Sequence, residues 1–223
     1  MSWLTDTLTS SIGRKVIMSL TGLFLIIFLI VHLSGNFQLL MDDGGLQFNA
    51  YAKFMTSNPL IKFTSYGLYA FILLHIIMSA VLAAKNRKAR PVGYAKVKGS
   101  ANSAWASRNM GILGTVILIF LVIHMRSYWY EMHWGDIPMD AAGNKDLFKV
   151  VSASFAQWWY VAIYVVSMIF LAFHLSHGFS SAFQTLGVNH KKYTPFIKGL
   201  GIVYAILIPA AFASIPLYMF FNN

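Results

Sequence analysis

The chain has 223 residues, 57% of them hydrophobic and only 11% charged, with a mean hydropathy of +0.61, too apolar for a domain whose whole surface must be wetted; it reads as a membrane protein. Cysteine is absent, which excludes disulfides, thiolate-held iron–sulfur clusters and covalently attached haem within this chain. The net charge of +10 falls into blocks between apolar windows, the mark of membrane topology and not of a nucleic-acid surface.

A helix crosses the hydrocarbon layer with about 20 mainly apolar residues, and five windows meet or approach that length. The first, residues 16–41, follows Arg14 and Lys15. It is too long for a signal-peptide core and has no small-residue cleavage pattern behind it, so it reads as a retained span. A polar stretch with Asp42, Asp43, Lys53 and Lys62 leads to the second window, 63–84. A basic connection with Lys85, Arg87, Lys88, Arg90, Lys96 and Lys98 runs to Arg108, where the third window, 108–130, begins. Glu131, Asp136, Asp140 and Asp146 precede the fourth, 156–185; Lys191, Lys192 and Lys198 separate it from the fifth, 198–219. No connection is long enough to bury a core of its own, so residues 1–223 read as a single membrane domain.

Charge orients that domain. Twelve of the seventeen cations lie before the first window or in the second and fourth connections, while six of the seven acids lie in the first and third. The positive-inside rule places the N-terminus in the cytoplasm and, after five crossings, the C-terminus outside. Trp129, Trp134, Trp158, Trp159 and Tyr160 sit where an outer aromatic belt is expected.

One hexapeptide pattern recurs in four of the five windows: "FLIVHL", "FILLHI", "FLVIHM" and "FLAFHL". Each places a Phe one helical turn before a His, on the same face: Phe28 with His32, Phe71 with His75, Phe120 with His124, Phe170 with His174. A lone intramembrane histidine is commonly a hydrogen-bonded packing residue. Four of them on four helices, each costly in lipid, point to a shared purpose. At 1.5 Å per residue, His32 and His124 lie roughly 24–26 Å from the basic ends of their helices, His75 roughly 15 Å and His174 roughly 20 Å. They sort into an inner pair, His75 with His174, and an outer pair, His32 with His124. Two such pairs are what two six-coordinate haems require, one axial nitrogen from each side of each macrocycle. Gly22, Gly35, Gly67, Gly114 and Gly178 would let helices spread around a flat group, and equally serve ordinary helix packing. Zinc is one rival, disfavoured by the different depths and the lack of adjacent carboxylate or thiolate. A proton relay is another, and no window carries Asp or Glu at its apolar centre.

The opening "SIGRKVIMSLTGLFLIIFLIVHLSGN", one histidine on each of the first four helices, and "HLSHGFSSAFQTLG" in the fourth are similar to the di-haem cytochrome b membrane anchor of succinate dehydrogenase and fumarate reductase, in its single-subunit five-helix form. The resemblance covers nearly the whole chain. It implies an all-α membrane protein of five transmembrane helices, the first four bundled around two stacked haem b groups, with His32, His75, His124 and His174 as axial ligands. The family pattern, a His with Gly four and thirteen residues on, is met by His174, Gly178 and Gly187, which leaves His177 as a nearby donor or polar packing residue. The resemblance further implies a flavoprotein subunit that converts succinate and fumarate, an iron–sulfur subunit between it and the membrane, and a quinone, menaquinone for the di-haem type. The setting implied is a bacterial cytoplasmic membrane, with a higher oligomer of the complex left open. This chain has no nucleotide-binding glycine fingerprint and no soluble domain to hold a dicarboxylate.

Within that frame the four Phe residues are expected to pack on the macrocycles. Haem propionates want cationic or hydroxyl partners: Arg14, Ser19 and Arg108 are the inner candidates and Arg126 the outer, with snorkelling to the interface as the other reading for the arginines. For quinone chemistry the outer connections offer Asp42, Asp43, Lys53 and Glu131. The basic connection from Lys85 to Arg108 suits an acidic partner subunit or anionic lipid. Two other classes stay open: a proton-coupled transporter gated by intramembrane histidines, which predicts broken helices or inverted repeats, and a haem-free scaffold for soluble subunits.

Overall fold

The computed structural model describes residues 3–89 and 103–222, so Arg90, Lys96 and Lys98 of the basic connection lie outside the described residues. Those described are helical, apart from turns and one isolated β-bridge between Met139 and Lys145. Five helical rods are long and apolar enough to cross a membrane: Ser11–Leu40, Pro59–Lys88, Met110–Trp134, Trp158–Thr185 and Thr194–Asn222. The protein is a multi-pass membrane protein.

Local chemistry sets the helix ends. After a short helix α1 (Trp3–Thr9), α2 (Ser11–Asn36) starts where Ser10 Oγ accepts the Gly13 amide at 2.9 Å. A 3₁₀ turn, Phe37–Leu40, extends it. Helix α3 (Leu46–Ser57) is followed directly by α4 (Pro59–Lys88), whose cap Asn58 accepts the Leu60 and Ile61 amides through Oδ1. Pro59 occupies the first position, where a missing N–H costs nothing. Lys85, Arg87 and Lys88 close α4 against the negative end of its dipole. Helix α5 (Met110–His124) continues through a π-helical turn, Met125–Trp129, into a last turn, Tyr130–Trp134. Then come α6 (Leu147–Phe155), α7 (Trp158–Thr185) and α8 (Thr194–Asn222), the last carrying buried Pro209 and Pro216 in its interior. Four rods overrun their sequence windows at one end or both, where polar and charged residues extend the helix beyond its apolar centre; the fourth, Trp158–Thr185, falls within its window.

The larger departure from the sequence reading is at the acid-bearing end, where two stretches read as plain connections form α3 and α6. Asp43 caps α3 by accepting the Gly45 and Gln47 amides, both at 2.9 Å. Gly45 sits at φ +85°, and the Phe148 ring occupies the space where its side chain would stand, so a larger residue is both strained and obstructed. Asp146 caps α6 by accepting the Lys149 amide at 3.0 Å. Phe48 and Ala52 of α3 and Leu147, Val151 and Phe155 of α6 join Tyr160, Val161 and Tyr164 of α7 and Ile215 and Met219 of α8 in the main core. Short amphipathic helices at the water boundary gain by burying one face, a drive that is missing between apolar helices in lipid.

At mid-depth the packing is uneven. Helix α7 lies against α2, α5 and α8, with Ile26, Leu175, Phe179 and Ala205 forming a second cluster. The Tyr204 hydroxyl ties α8 to α2 by donating to the Ile26 carbonyl. By contrast α4 has no buried residue, and in α5 only Leu113 is buried.

Candidate functional site

The four intramembrane histidines meet in two pairs. On the level nearer the basic end, the rings of His75 (α4) and His174 (α7) face each other with centres 6.3 Å apart and planes at 63°. Thr21 Oγ1 of α2 lies 3.2 Å from His75 Nδ1. Beside it, Gly22 gives the ring room, for a Cβ there would stand 3.5 Å from His75 Cε1. His174 Nδ1 is buried and has no hydrogen-bond partner among the described residues.

On the other level, His32 (α2) and His124 (α5) have ring centres 5.7 Å apart with planes at 89°. Phe28 stacks on His32 at 5.2 Å and Phe120 tilts against His124 at 5.8 Å, each from one turn earlier on its own helix. Phe212 of α8 covers His32 at 5.7 Å, so the fifth span closes this level. Tyr164 Oη of α7 lies 3.1 Å from His124 Nδ1. Tyr128 and Tyr160 crowd the same Tyr164 ring, with centres 6.3 and 5.1 Å away.

Two helices give the spacing of the levels independently. On α2, Gly22 at the His75 ring and His32 are ten residues apart; on α7, Tyr164 at the His124 ring and His174 are also ten apart. Ten residues of α-helix rise about 15 Å.

The pairs suit a metal-centred planar group to different degrees. Two imidazoles on opposite sides of one first-row metal, bonded at about 2.0–2.1 Å with ring centres roughly 1.2 Å behind each nitrogen, stand about 6.4 Å apart. The His75–His174 pair matches that spacing, and it has a buried imidazole nitrogen, His174 Nδ1, left without a hydrogen bond among the described residues. The His32–His124 pair is narrower and must open to match. Among the described residues no cluster of three or more His, Cys, Asp or Glu forms a self-contained metal site. Half-buried Gly67, Gly114 and Gly178 lie on three of the helices that carry these histidines, and a methyl at any of them would meet no atom within 4 Å. Gly35 differs: it is where the Tyr51 ring of α3 presses on α2, 2.5 Å from a built Cβ.

The remaining sequence candidates scatter. Phe71 pairs edge-on with Phe24 at 4.7 Å and is 37% exposed, while Phe170 is half-buried. Arg14 Nη1 is buried without a partner among the described residues. Ser19, also buried, donates to the Lys15 carbonyl at 2.9 Å. Arg108 donates to the Ser103 carbonyl. Arg126 pairs with Glu131 and lies over the Tyr130 ring at 4.4 Å. Asp43 is spent on capping α3, and Asp42 and Lys53 are exposed; no hydrogen bond or ion pair among the described residues brings Asp42, Asp43, Lys53 and Glu131 together. His177 Nε2 faces Ser181 Oγ at 3.2 Å.

Sequence reasoning missed Thr21, Tyr164, Tyr128 and Phe212. Thr21 carried a signal: it lies eleven residues before His32, three turns along the same face of a helix otherwise apolar there. Tyr164 and Phe212 carried none, being ordinary aromatics in apolar windows. Comparison with protein-family models, with curated proteins and with solved structures found no match for this chain. Fold and site together define a five-span helical membrane protein with two imidazole pairs at two depths.

Proposed function

We propose that this chain is the membrane anchor and electron-transfer subunit of a succinate:quinone oxidoreductase, holding two haem b groups between an iron–sulfur partner subunit and membrane quinone. The observation that carries the reading is the pairing of all four intramembrane imidazoles across helices, at depths about 15 Å apart. His75 and His174 would hold the inner haem, His32 and His124 the outer. Each haem when bound would supply a one-electron couple at its own depth. The chain's own residues shape both sites. Phe28, Phe120 and Phe212 shield the outer pair with aromatic faces. Arg14, with a buried free Nη1, is the better-suited propionate partner, since Arg126 is engaged by Glu131.

The opening segment and the "HLSHGFSSAFQTLG" segment support the assignment to a succinate dehydrogenase or fumarate reductase complex, with a flavoprotein subunit carrying the dicarboxylate chemistry. The charge distribution supports a bacterial cytoplasmic membrane with the N-terminus inside and the C-terminus outside. Lys85, Arg87 and Lys88, exposed at the end of α4, would face the iron–sulfur subunit and anionic lipid. Quinone, in this reading menaquinone, would react at the acid-bearing end. A groove of about 540 Å³ there, lined by Pro138, Val150, Ser154, Gln157, Trp159 and Tyr160, offers apolar walls and a few polar groups to its ring.

The test is the reduced-minus-oxidised optical spectrum of the purified chain with a haem assay. Two b-type haems per polypeptide, and succinate-dependent quinone reduction when the chain is isolated with its partner subunits, are the expected results. A colourless chain would overturn the reading in favour of the transporter or the haem-free scaffold.

A further inference from the structure

We propose that Thr21 and Tyr164 are positioning residues that fix the ring proton of His75 and His124 on Nδ1, turning Nε2 of each toward its pair partner. The inference rests on the haem reading above. It begins from an asymmetry: in each pair one ring is tethered through Nδ1 by a hydroxyl on a different helix, Thr21 Oγ1 at 3.2 Å and Tyr164 Oη at 3.1 Å. Among the described residues, the partner rings of His32 and His174 make no hydrogen bond.

The direction of the tether follows from counting protons. A threonine hydroxyl has one. Thr21 is 3% exposed, and its Oγ1 lies 2.9 Å from the Ile17 carbonyl and 3.1 Å from that of Met18, both pure acceptors. Its proton is committed to its own helix, which leaves an oxygen lone pair for the imidazole. His75 Nδ1 therefore donates to it. At His124 the tether is a phenol, Tyr164 Oη at 3.1 Å from Nδ1; the geometry fixes the contact, and the ¹⁵N spectrum reads whether the ring donates there as it does at His75. A neutral imidazole protonated on Nδ1 keeps its lone pair on Nε2.

The tethers also explain how the two loosely packed helices are held. Helices α4 and α5, with almost nothing buried, are latched at mid-depth to α2 and α7 by these two hydroxyls. A ring that donates from Nδ1 is a more basic ligand at Nε2, and losing such an outer partner costs about 10–100-fold in metal affinity. Because the oxidised metal depends more on that basicity, loss of the tether favours the reduced state.

The experiment compares Thr21→Val and Tyr164→Phe in the full-length protein, by redox titration and by ¹⁵N NMR of histidine-labelled chain. Thr21→Val should raise the midpoint of one haem and Tyr164→Phe that of the other, a tenfold change in relative affinity reading as about 59 mV for one electron. Thr21→Ser, which restores an acceptor, should return the first midpoint. The ¹⁵N spectrum should show the proton on Nδ1 of His75 and His124. Midpoints that stay put, or that move together in both variants, overturn the proposal, as does a proton on Nε2 of either ring. Absence of haem from the unaltered chain defeats the functional reading instead, and the tautomers then decide the positioning role alone.

Discussion

Replacing histidines two at a time separates a two-level site from any looser use of the four rings. The levels are ten residues apart on α2 and again on α7, about 15 Å, so a ring lost from one level has no substitute from the other. The nearest alternative is His177, three residues beyond His174 and about 4.5 Å further along the axis, and its Nε2 is engaged by Ser181. Haem content should read two per chain in the unaltered protein and one in His75→Ala. It should remain one when His75→Ala is combined with His174→Ala, which empties a single level. Combining His75→Ala with His124→Ala damages both levels and should leave none. A pyridine haemochrome assay on detergent-solubilised protein, normalised to amino-acid analysis, reads this directly, and far-UV circular dichroism checks that the helices persist. Equal haem content in the two double variants would refute the pairing.

Three further outcomes probe the acid-bearing end. Asn49 is fully buried, donates to Asp140 Oδ2 at 3.2 Å and Asp146 Oδ1 at 3.0 Å, and accepts the Phe148 amide at 2.9 Å. Asn49→Ala orphans a backbone donor and removes two charge-assisted bonds, a loss of about 3 kcal/mol given that the carboxylates are half-exposed, to be read as a lowered thermal midpoint; a loss below about 1 kcal/mol would contradict the clamp. Gly35→Ala drives a methyl into the Tyr51 ring and should cost about 1–3 kcal/mol by overpacking, relieved in the double variant with Tyr51→Leu. Hydrogen bonds from the Asn144 amide first, then from Asn49 and Ala142, hold the Asp140 carboxyl below its ordinary value of 3.8. A depressed carboxylate stabilises the fold above that ordinary value, and the contribution is lost as pH falls through the lower folded value. The 136–146 loop should therefore resist proteolysis down to about pH 4 and open only below it, and Asn49→Ala should move that opening upward.

The histidine pattern was legible because its physics is local. Polar rings are costly in lipid whatever the packing, so four of them at matched positions stand out from the sequence, as do window lengths and charge blocks. The same locality misleads at Phe71, which obeys the repeat as fully as Phe28 yet turns to Phe24. One turn of separation puts a Phe and a His on one face; it does not say which neighbour fills the space beside them. The capping residues Asp43 and Asp146 stand in the sequence, yet α3 and α6 read there as connections, because their apolar stripes are too short to be told from boundary residues of the spans.

The sequence by itself determined that five apolar rods cross a membrane, which ends carry the cations, and that four rods bring an imidazole into the interior. Only the tertiary structure decided that Thr21 meets His75 across 54 positions, that Tyr164 meets His124 across 40, and that Phe212 of the fifth span covers His32. The reason lies in the solvent. A helix in water shows its inner face by its apolar stripe, but a helix in lipid is apolar on every side, so its rotation leaves almost no periodic trace and is settled by contacts between rods.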